Sequence, residues 1–206
     1  MESSLQKASQ DKVIKCVVLG DGAVGKTCLL MVYAKDQFPD TYDPTVFDNY
    51  QVKVTVGEDT YTIALFDTAG QEDFDRFRPM VFPGTDIFIV CYSIANPASY
   101  YNISTRWFPE IKKYSSTTPI LIVGTQVDLR NDEATLLKLA KRKEKPISNT
   151  LGKNLATELG AAYCECSALT RTGIREAFTE AIAIALGSDE HLSTKKTLCS
   201  KICSLF

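Results

Sequence analysis

Nearly continuous apolar runs alternate with helix-like patterns along most of the chain. Three runs have the hydrophobicity of parallel strands that are covered on both faces: 13–19, 87–91 and 120–123. The segments 51–56 and 61–66 instead alternate apolar with polar residues, and the turn 57–60 lies between them. This pattern predicts a half-exposed antiparallel hairpin.

Sequence patterns typical of helices lie between these strands. Helices are predicted at 28–34, 149–159 and 174–186, and the last two end at a glycine. A further helix begins with Asn96 as its N-cap and Pro97 at its first position. Apolar residues then recur at helical spacing, and Pro109 predicts a kink in that helix.

Alternating strands and helices predict an α/β domain over residues 12–186. Its expected architecture is a doubly wound, mostly parallel six-stranded sheet with one antiparallel edge strand. Residues 36–47 contain two prolines and are expected to form an exposed loop. The segments 1–11 and 187–206 are polar and aperiodic, so we expect a flexible extension at each end.

The segment 131–145 is an addition to this alternation of strands and helices. It has acidic residues at its start, leucines in its middle and five basic residues towards its end. Such a distribution complements a helix dipole, so we predict a helix here. The pattern fits either a solvated surface helix or a helix that binds a partner.

Composition excludes several classes of function. The net charge of −2 argues against bulk nucleic-acid binding, which usually comes with a basic excess. No apolar run is long enough to span a membrane, and the start of the chain lacks a signal-peptide core. The single histidine, His191, nearly excludes histidine catalysis and histidine metal sites. Most of the seven cysteines lie in apolar strands, which predicts reduced thiols and a cytosolic protein.

A phosphate-binding loop is predicted between the first strand and the first helix. The residues match the pattern G-x-x-x-x-G-K-[ST]: Gly20, Asp21, Gly22, Ala23, Val24, Gly25, Lys26 and Thr27. Glycines let backbone N–H groups turn towards a phosphate, and the helix N-terminus adds a positive dipole end. Lys26 would reach the β- and γ-phosphates, and the Thr27 hydroxyl can bind Mg²⁺. An ordinary glycine-rich turn is the alternative, and the strand–loop–helix context disfavours it.

Three further motifs follow the ends of predicted strands, where α/β proteins bind ligands. They are Asp67-Thr68-Ala69-Gly70-Gln71, Thr125-Gln126-Val127-Asp128 and Cys166-Ser167-Ala168-Leu169. Asp67 can hold Mg²⁺ through water, and Gly70 permits the backbone to approach a γ-phosphate. Alone, the motif from Asp67 to Gly70 is a weak signal that is common in turns, and Asp128 alone would more readily be the cap of a turn before Leu129. Four motifs in order at four strand ends are not a chance set.

Asp128 and Ala168 favour guanine over adenine. The Asp128 carboxylate could accept hydrogen bonds from guanine N1–H and the 2-amino group, and the Ala168 N–H could donate to O6. Adenine lacks these groups, so it would leave the carboxylate unpaired at a cost of ~2–5 kcal/mol. An ATP-dependent kinase or ATPase that uses the same loop is therefore disfavoured.

These motifs resemble those of the Rho family of small GTPases, within the Ras superfamily. The Rho-like features are Pro44-Thr45-Val46-Phe47-Asp48-Asn49-Tyr50, Asp67-Thr68-Ala69-Gly70-Gln71-Glu72-Asp73 and the extra helix at 131–145. The chain is most similar to the Rac and cell-division-control branch, and Phe66 favours the latter. Thr125-Gln126 stands where the wider superfamily has Asn-Lys. The resemblance implies a small G-domain with the P-loop NTPase fold, a Rho-type insert helix and a monomeric core.

The resemblance also implies the role of each site residue. Thr45 would join Thr27 as an Mg²⁺ ligand and donate its backbone N–H to the γ-phosphate. Gln71 would orient the attacking water, with Lys26 and Gly22 as further catalytic positions, and a Cβ at Gly22 would crowd Gln71. Phe38 would pack against the guanine. The remaining nucleotide contacts are Cys28, Tyr42, Pro44, Ala69, Gly70, Thr125, Gln126, Leu129, Ser167 and Leu169.

The implied activity is a switch that binds GTP or GDP and hydrolyses GTP, with Mg²⁺ as cofactor. Its expected partners are exchange factors, GTPase-activating proteins, a dissociation inhibitor and effectors that add a strand beside 51–56. Arg76 and Arg78 are interpreted as exposed partner contacts, so hydrolysis is expected to be slow until an activating protein inserts an arginine. A module that holds GTP permanently is the alternative, although the intact Gly22 and Gln71 argue against it.

The last four residues, Cys203-Ser204-Leu205-Phe206, match the prenylation motif C-a-a-X, and the terminal Phe favours geranylgeranyl. One lipid binds membranes only marginally, so a second signal is expected. Cys199 is either palmitoylated or a free thiol, while Lys195, Lys196 and Lys201 would attract anionic headgroups. We expect the protein at the cytoplasmic face of the plasma membrane or endomembranes, with a cytosolic pool. Roles in the cytoskeleton, cell polarity and vesicle traffic follow from resemblance only.

Overall fold

Six strands form one mixed sheet in a computed structural model that describes residues 12–39 and 45–187. The strands are β1 Lys12–Gly20, β2 Phe47–Val56, β3 Asp59–Thr68, β4 Ile87–Ser93, β5 Ile120–Thr125 and β6 Ala162–Glu165. Their order across the sheet is β2-β3-β1-β4-β5-β6. Only β2 runs antiparallel to its neighbour, so the predicted architecture is confirmed.

The register of β1 places the predicted motifs at one end of the sheet. Val18 of β1 is paired with Asp67 of β3, and Gly20 is paired with Cys91 of β4. Further across, Ser93 of β4 is paired with Thr125 of β5. The parallel strands β1, β3, β4 and β5 therefore end close together, and this shared edge carries the candidate site.

Helices connect the strands and cover both faces of the sheet. They are α1 Lys26–Lys35, α2 Pro97–Asn102, α3 Phe108–Tyr114, α4 Glu133–Lys141, α5 Asn149–Leu159 and α6 Ile174–Ala185. Short 3₁₀ turns span Glu72–Phe74, Arg78–Val81 and Val127–Asn131. None of the helices in the described part of the chain is both long and apolar enough to cross a membrane.

Two hydrophobic cores lie on opposite faces of the sheet. On one face α1 and α6 pack together, where the rings of Tyr33 and Phe178 stack with their centroids 3.7 Å apart. On the other face Trp107 is fully buried beside Phe88 and Ile111. Every residue of β4 and β5 is buried, as their unbroken apolar runs predict for strands covered on both faces.

The helix after β4 differs from its prediction in detail. Asn96 does precede Pro97, but its side chain makes no capping hydrogen bond. A π-helical turn over Ile103–Trp107 lies immediately before α3, and Pro109 is the second residue of α3. A proline has no N–H to donate to the preceding turn, so an altered hydrogen-bond pattern next to it has a simple cause.

Other boundaries shift by one or two residues. The α6 helix stops at Ala185, with Leu186 as its C-cap, so it ends one residue earlier than predicted. The β2–β3 turn is only two residues long. The segment 131–145 contains α4, and the Asp132 carboxylate caps that helix by accepting from the Thr135 N–H at 2.8 Å.

Candidate nucleotide-binding site

The predicted phosphate loop follows β1 and ends at α1. Gly20 has φ +138°, and a Cβ there would lie 2.2 Å from the carbonyl oxygen of Cys91. Gly25 has φ +93° and is the N-cap of α1. Both positions therefore require glycine, one for close packing against β4 and both for backbone conformation. These two glycines give the chain its sharp turn from the sheet into the helix.

Lys26 lies buried in the centre of this loop. Its Nζ donates to the carbonyl oxygens of Gly20 and Asp21, each at 2.8 Å. Burial lowers the pKa of the Lys26 ammonium below its ordinary value, while the nearby Asp67 opposes that shift. The loop backbone thus holds a cation where the sequence predicts contact with phosphate.

Thr27, Thr45 and Asp67 form a hydrogen-bonded cluster beside the loop. The Thr27 hydroxyl donates to Oδ2 of Asp67 at 2.6 Å, so the Thr45 hydroxyl, also 2.6 Å away, is the donor to Thr27. Asp67 is fully buried, and its Oδ1 has no hydrogen-bond partner among the described residues. Burial raises the pKa of Asp67, and the hydrogen bond from Thr27 opposes that change.

This oxygen cluster fits Mg²⁺. Hydroxyl and carboxylate oxygens are the ligands that Mg²⁺ prefers, and a bound cation would stabilise the unpartnered Asp67 oxygen in its ionised form. Within the described ranges no group of three or more His, Cys, Asp or Glu side chains could hold a metal. The donor set of this cluster consists of the Asp67 carboxylate and two threonine hydroxyls.

Gly70 packs directly against the phosphate loop. A Cβ at Gly70 would lie 2.4 Å from Asp21 C and Gly22 N and 2.5 Å from Gly20 O. All of these are backbone atoms, which cannot move aside as a flexible side chain can. The segment after β3 therefore touches the loop at a point where only glycine fits.

Gln71 and Gly22 line the same cleft, but the crowding expected between them is absent. A Cβ on Gly22 would meet no heavy atom within 4 Å. Gln71 is half-buried, and its carbonyl oxygen accepts from Arg78 Nη2 at 3.1 Å. The steric reason given for glycine at position 22 is thus not supported in this arrangement of the chain.

The predicted base-recognition residues come together beyond β5. The Ser167 hydroxyl donates to Oδ1 of the half-buried Asp128. The Thr125 hydroxyl lies within hydrogen-bond distance of the Val24 carbonyl oxygen, which ties β5 to the phosphate loop. Gln126 adopts φ +59° and accepts from the Ser93 hydroxyl, so this side chain is anchored to β4.

Two adjoining cavities connect the phosphate and base regions. The larger, of about 940 Å³, is lined by the loop, Thr45 and the residues 68–71. The smaller, of about 140 Å³, is lined by the following residues: Gly25, Cys28, Leu29, Phe38, Thr125, Gln126, Asp128, Leu129, Cys166, Ala168 and Leu169. Gly25, Cys28 and Phe38 line both cavities. Together they make a cleft in which phosphates would lie at one end and a base at the other.

The sequence that forms this cleft matches the model of a known protein family. The model of the Ras family matches residues 15–186, which include all four motifs. The chain belongs to the Ras family. It is therefore a small GTPase of the Ras superfamily, with the small G-domain form of the P-loop fold. Ras-family GTPases generally bind guanine nucleotide and Mg²⁺, and they generally interact with exchange factors, activating proteins and effectors.

Arg78 lies behind the site, where its environment differs from the one that the sequence predicts. Arg78 was expected to be an exposed partner contact, but only 1% of its side chain is exposed. It forms a two-pronged ion pair with Glu110 of α3, at 3.0 Å to each carboxylate oxygen. Arg76, by contrast, is exposed as expected. Because the residues around Arg78 are mostly exposed, the sequence gives no signal that the Arg78 side chain is buried.

Arg171 is a second residue that sequence reasoning missed. It lines the larger cavity, and its Nη1 lies 2.6 Å from Oδ1 of Asp36 at the C-terminus of α1. Nη2 also donates to the Asp36 carbonyl oxygen at 3.1 Å. This pair joins the loop after β6 to the segment that leads to Phe38, across the rim of the cleft.

Several predicted positions lie outside the described residues. They are Tyr42, Pro44, Lys195, Lys196, Cys199, Lys201 and Cys203. The described cysteines Cys16, Cys28, Cys91 and Cys166 are free thiols. Burial raises the pKa of Cys16 and of Cys91 to about 12, so these two thiols stay protonated and inert.

Proposed function

We propose that this Ras-family chain is a Rho-type molecular switch that binds GTP and GDP and hydrolyses GTP to GDP and phosphate. The observation that carries the proposal is the hydrogen-bonded cluster of Thr27, Thr45 and Asp67. It joins the phosphate loop, the segment before β2 and the end of β3 at one cation site. Loss of the last phosphate would therefore loosen both neighbouring segments together.

The Rho assignment within the family is supported by sequence and by one element of the fold. Residues 44–50 and 67–73 carry the Rho-like motifs, and α4 lies in the surplus segment 131–145. We assign nucleotide binding to residues 12–186 and membrane targeting to 187–206. The lipid sites are Cys203, with geranylgeranyl, and Cys199, with either palmitate or a free thiol.

GTP hydrolysis requires groups that stabilise the negative charge on the phosphates and orient the attacking water. Lys26 is a buried cation that would face the β- and γ-phosphates, and Gln71 would orient the attacking water with an amide that can both donate and accept. Mg²⁺ bound by Thr27 and Thr45 would neutralise charge between the phosphates. Each guanidinium nitrogen of Arg78 already donates to an acceptor in the protein, so Arg78 is not placed to serve as the charge-stabilising arginine.

Slow intrinsic hydrolysis follows from that arrangement. An activating protein would accelerate the reaction by inserting an arginine of its own. Effectors would recognise the segments that carry Thr45 and Gln71, and an extended effector segment would add a strand beside the exposed edge β2. Exchange factors and a dissociation inhibitor complete the proposed set of partners. The proposed location is the cytoplasmic face of the plasma membrane or endomembranes, with a cytosolic pool.

Guanine selectivity rests on the far end of the cleft. The Ser167 hydroxyl holds Oδ1 of Asp128, so the carboxylate has a fixed orientation towards the smaller cavity. The carboxylate would accept from guanine N1–H and the 2-amino group, and the Ala168 N–H would donate to O6. Adenine offers neither the two donors nor the acceptor.

Single-turnover phosphate release tests the proposal. The full chain is loaded once with GTP, and free phosphate is followed with and without Mg²⁺. We expect slow, complete conversion to GDP that depends on Mg²⁺ and nearly stops in Gln71→Leu, while nucleotide remains bound in both proteins. GTP that stays intact on the wild-type chain would instead identify a permanently GTP-bound module. Equal retention of ATP would contradict the guanine assignment.

A further inference from the structure

Trp107 is the chain's one tryptophan, and it is fully buried in the π-helical turn before α3. The guanidinium carbons of Arg78 and Arg106 lie 4.7 and 4.6 Å from its ring centroids. Its indole Nε1 donates to Oδ1 of Asp21 at 2.8 Å, and Asn102 donates to Oδ2 at 2.7 Å. A residue of the phosphate loop is thus anchored to the π-helical turn and to α2.

Arg78 reaches from the same place to the segment that carries Gln71. Its Nε donates to the Ala69 carbonyl oxygen at 3.1 Å, and Nη2 donates to the Gln71 carbonyl oxygen at 3.1 Å. Nη1 is held by both oxygens of Glu110, and Nη2 also pairs with Asp75 at 2.8 Å. Each of the three guanidinium nitrogens therefore has an acceptor that fixes its position.

This network connects the two parts of the site that must meet during hydrolysis. Asp21 belongs to the loop that would surround the phosphates, and the backbone of 69–71 carries the residue that would orient water. Both are tied to Trp107, one by a hydrogen bond and the other through the arginine stacked on its ring. The mutual position of loop and Gln71 is thus set from behind the site, by groups that would not touch nucleotide.

We propose that Arg78 is a positioning residue for GTP hydrolysis, which acts by holding the backbone of residues 69–71 against the Trp107–Asp21 anchor. The proposal rests on the hydrolytic function proposed above. Lysine cannot replace arginine here, because an ammonium group lacks the planar fork that reaches Glu110 and two backbone carbonyls at once. Arg78→Lys keeps the charge, so it loosens the Gln71 backbone without leaving Glu110 beside an uncharged group.

The test compares Arg78→Lys with Arg76→Lys in single-turnover GTP hydrolysis. Arg76 is exposed two residues earlier, so it is a chemically matched control. We expect Arg78→Lys to lower the hydrolysis rate by about 3- to 10-fold, with GDP dissociation changed by less than about 2-fold. Arg76→Lys should match the wild type in both rates. Glu110→Gln, which weakens the same anchor from its other side, should also slow hydrolysis.

The Gln71→Leu variant separates an effect of Arg78→Lys on the position of Gln71 from a general structural effect. In Gln71→Leu the residual hydrolysis, followed over hours with radiolabelled GTP, should not fall further when Arg78→Lys is added, because the positioned side chain is already absent. The proposal would be overturned if Arg78→Lys lowered the hydrolysis rate of Gln71→Leu by the same factor as that of the wild type. An unchanged hydrolysis rate in Arg78→Lys alone would also overturn it. Trp107 emission should shift in Arg78→Lys and not in Arg76→Lys, and an unshifted spectrum would contradict the stacking arrangement. If the wild-type chain itself released no phosphate, the proposed function would fail rather than this inference.

Discussion

Gly70→Ala is the substitution that most directly separates nucleotide binding from recognition of the last phosphate. The added Cβ would lie 2.4 Å from two backbone atoms of the phosphate loop, whereas ordinary contacts begin at about 3.4 Å. The segment that carries Gln71 must therefore retreat by about 1 Å. The phosphate loop keeps Lys26 and its own backbone, so we expect the variant to bind GDP almost as the wild type does.

The size of the effect follows from the cost of overpacking. Forcing one extra methyl group into a closely packed position costs about 1–3 kcal/mol. That energy would act against the arrangement in which residues 69–71 contact the loop, and only GTP needs this arrangement. The preference for a non-hydrolysable GTP analogue over GDP should fall by about 5- to 150-fold.

The assay is competition between the GTP analogue and a fluorescent GDP on the purified full chain. Gly84→Ala is the control, because a Cβ there meets open space and only the backbone strain of φ +70° is changed. The control should lose some thermal stability and keep the wild-type nucleotide preference. An unchanged preference in Gly70→Ala would refute the reasoning, as would equal losses in both variants.

Three further substitutions test other parts of the structure. Gly152→Ala should lower the free energy of unfolding by about 1–3 kcal/mol in urea titrations, because its Cβ would lie 2.0 Å from the Tyr163 hydroxyl. Arg171→Ala should speed GDP release by about 2- to 5-fold at low salt and less at high salt, since its pair with Asp36 is exposed. Burial raises the pKa of Asp67, so in protein free of nucleotide and Mg²⁺ the contribution of this carboxyl to stability is full at low pH and is lost as the pH rises through that pKa. Asp67→Asn should remove this pH dependence in thermal melts at a series of pH values above the ordinary pKa of an aspartate, about 3.9.

Each of these predictions has a result that contradicts it. A Gly152→Ala chain as stable as wild type would mean that Tyr163 moves away without cost. GDP release from Arg171→Ala that matched the wild type at low salt would show that the Asp36 pair does not restrain the cleft. Melting curves of Asp67→Asn with the same pH dependence as wild type would show that another group causes it.

Much of the fold could be predicted because its signals are local. The apolar runs of β4 and β5 are long enough to identify strands covered on both faces, and the glycine after α5 marks the end of that helix. The antiparallel position of β2 followed from its hairpin with β3. Helix details were less accurate, because Pro109 signals an irregularity in the helix after β4 but does not specify that it takes the form of a π-helical turn.

Parts of the site depend on distant contacts and were not predictable. Arg78 lies in a segment of exposed charged residues, and its burial is decided by Glu110 and Trp107, about thirty residues later in the chain. The Asp36–Arg171 pair joins residues from opposite ends of the domain. The crowding at Gly22 was an inference from family resemblance, and the geometry around this position does not have it. Motif spacing locates the groups that would touch a ligand, but not the groups that hold them.

Calorimetric titration of the nucleotide-free chain tests the central claim most directly. GDP, the GTP analogue and an ATP analogue are each added in the presence of Mg²⁺. The buried oxygen cluster and the Asp128–Ser167 contact predict tight binding of both guanine nucleotides, with the ATP analogue weaker by at least about 30-fold, as an unpaired carboxylate costing ~2–5 kcal/mol requires. Equal affinity for the ATP analogue, or no heat of binding with any of the three, would contradict the account.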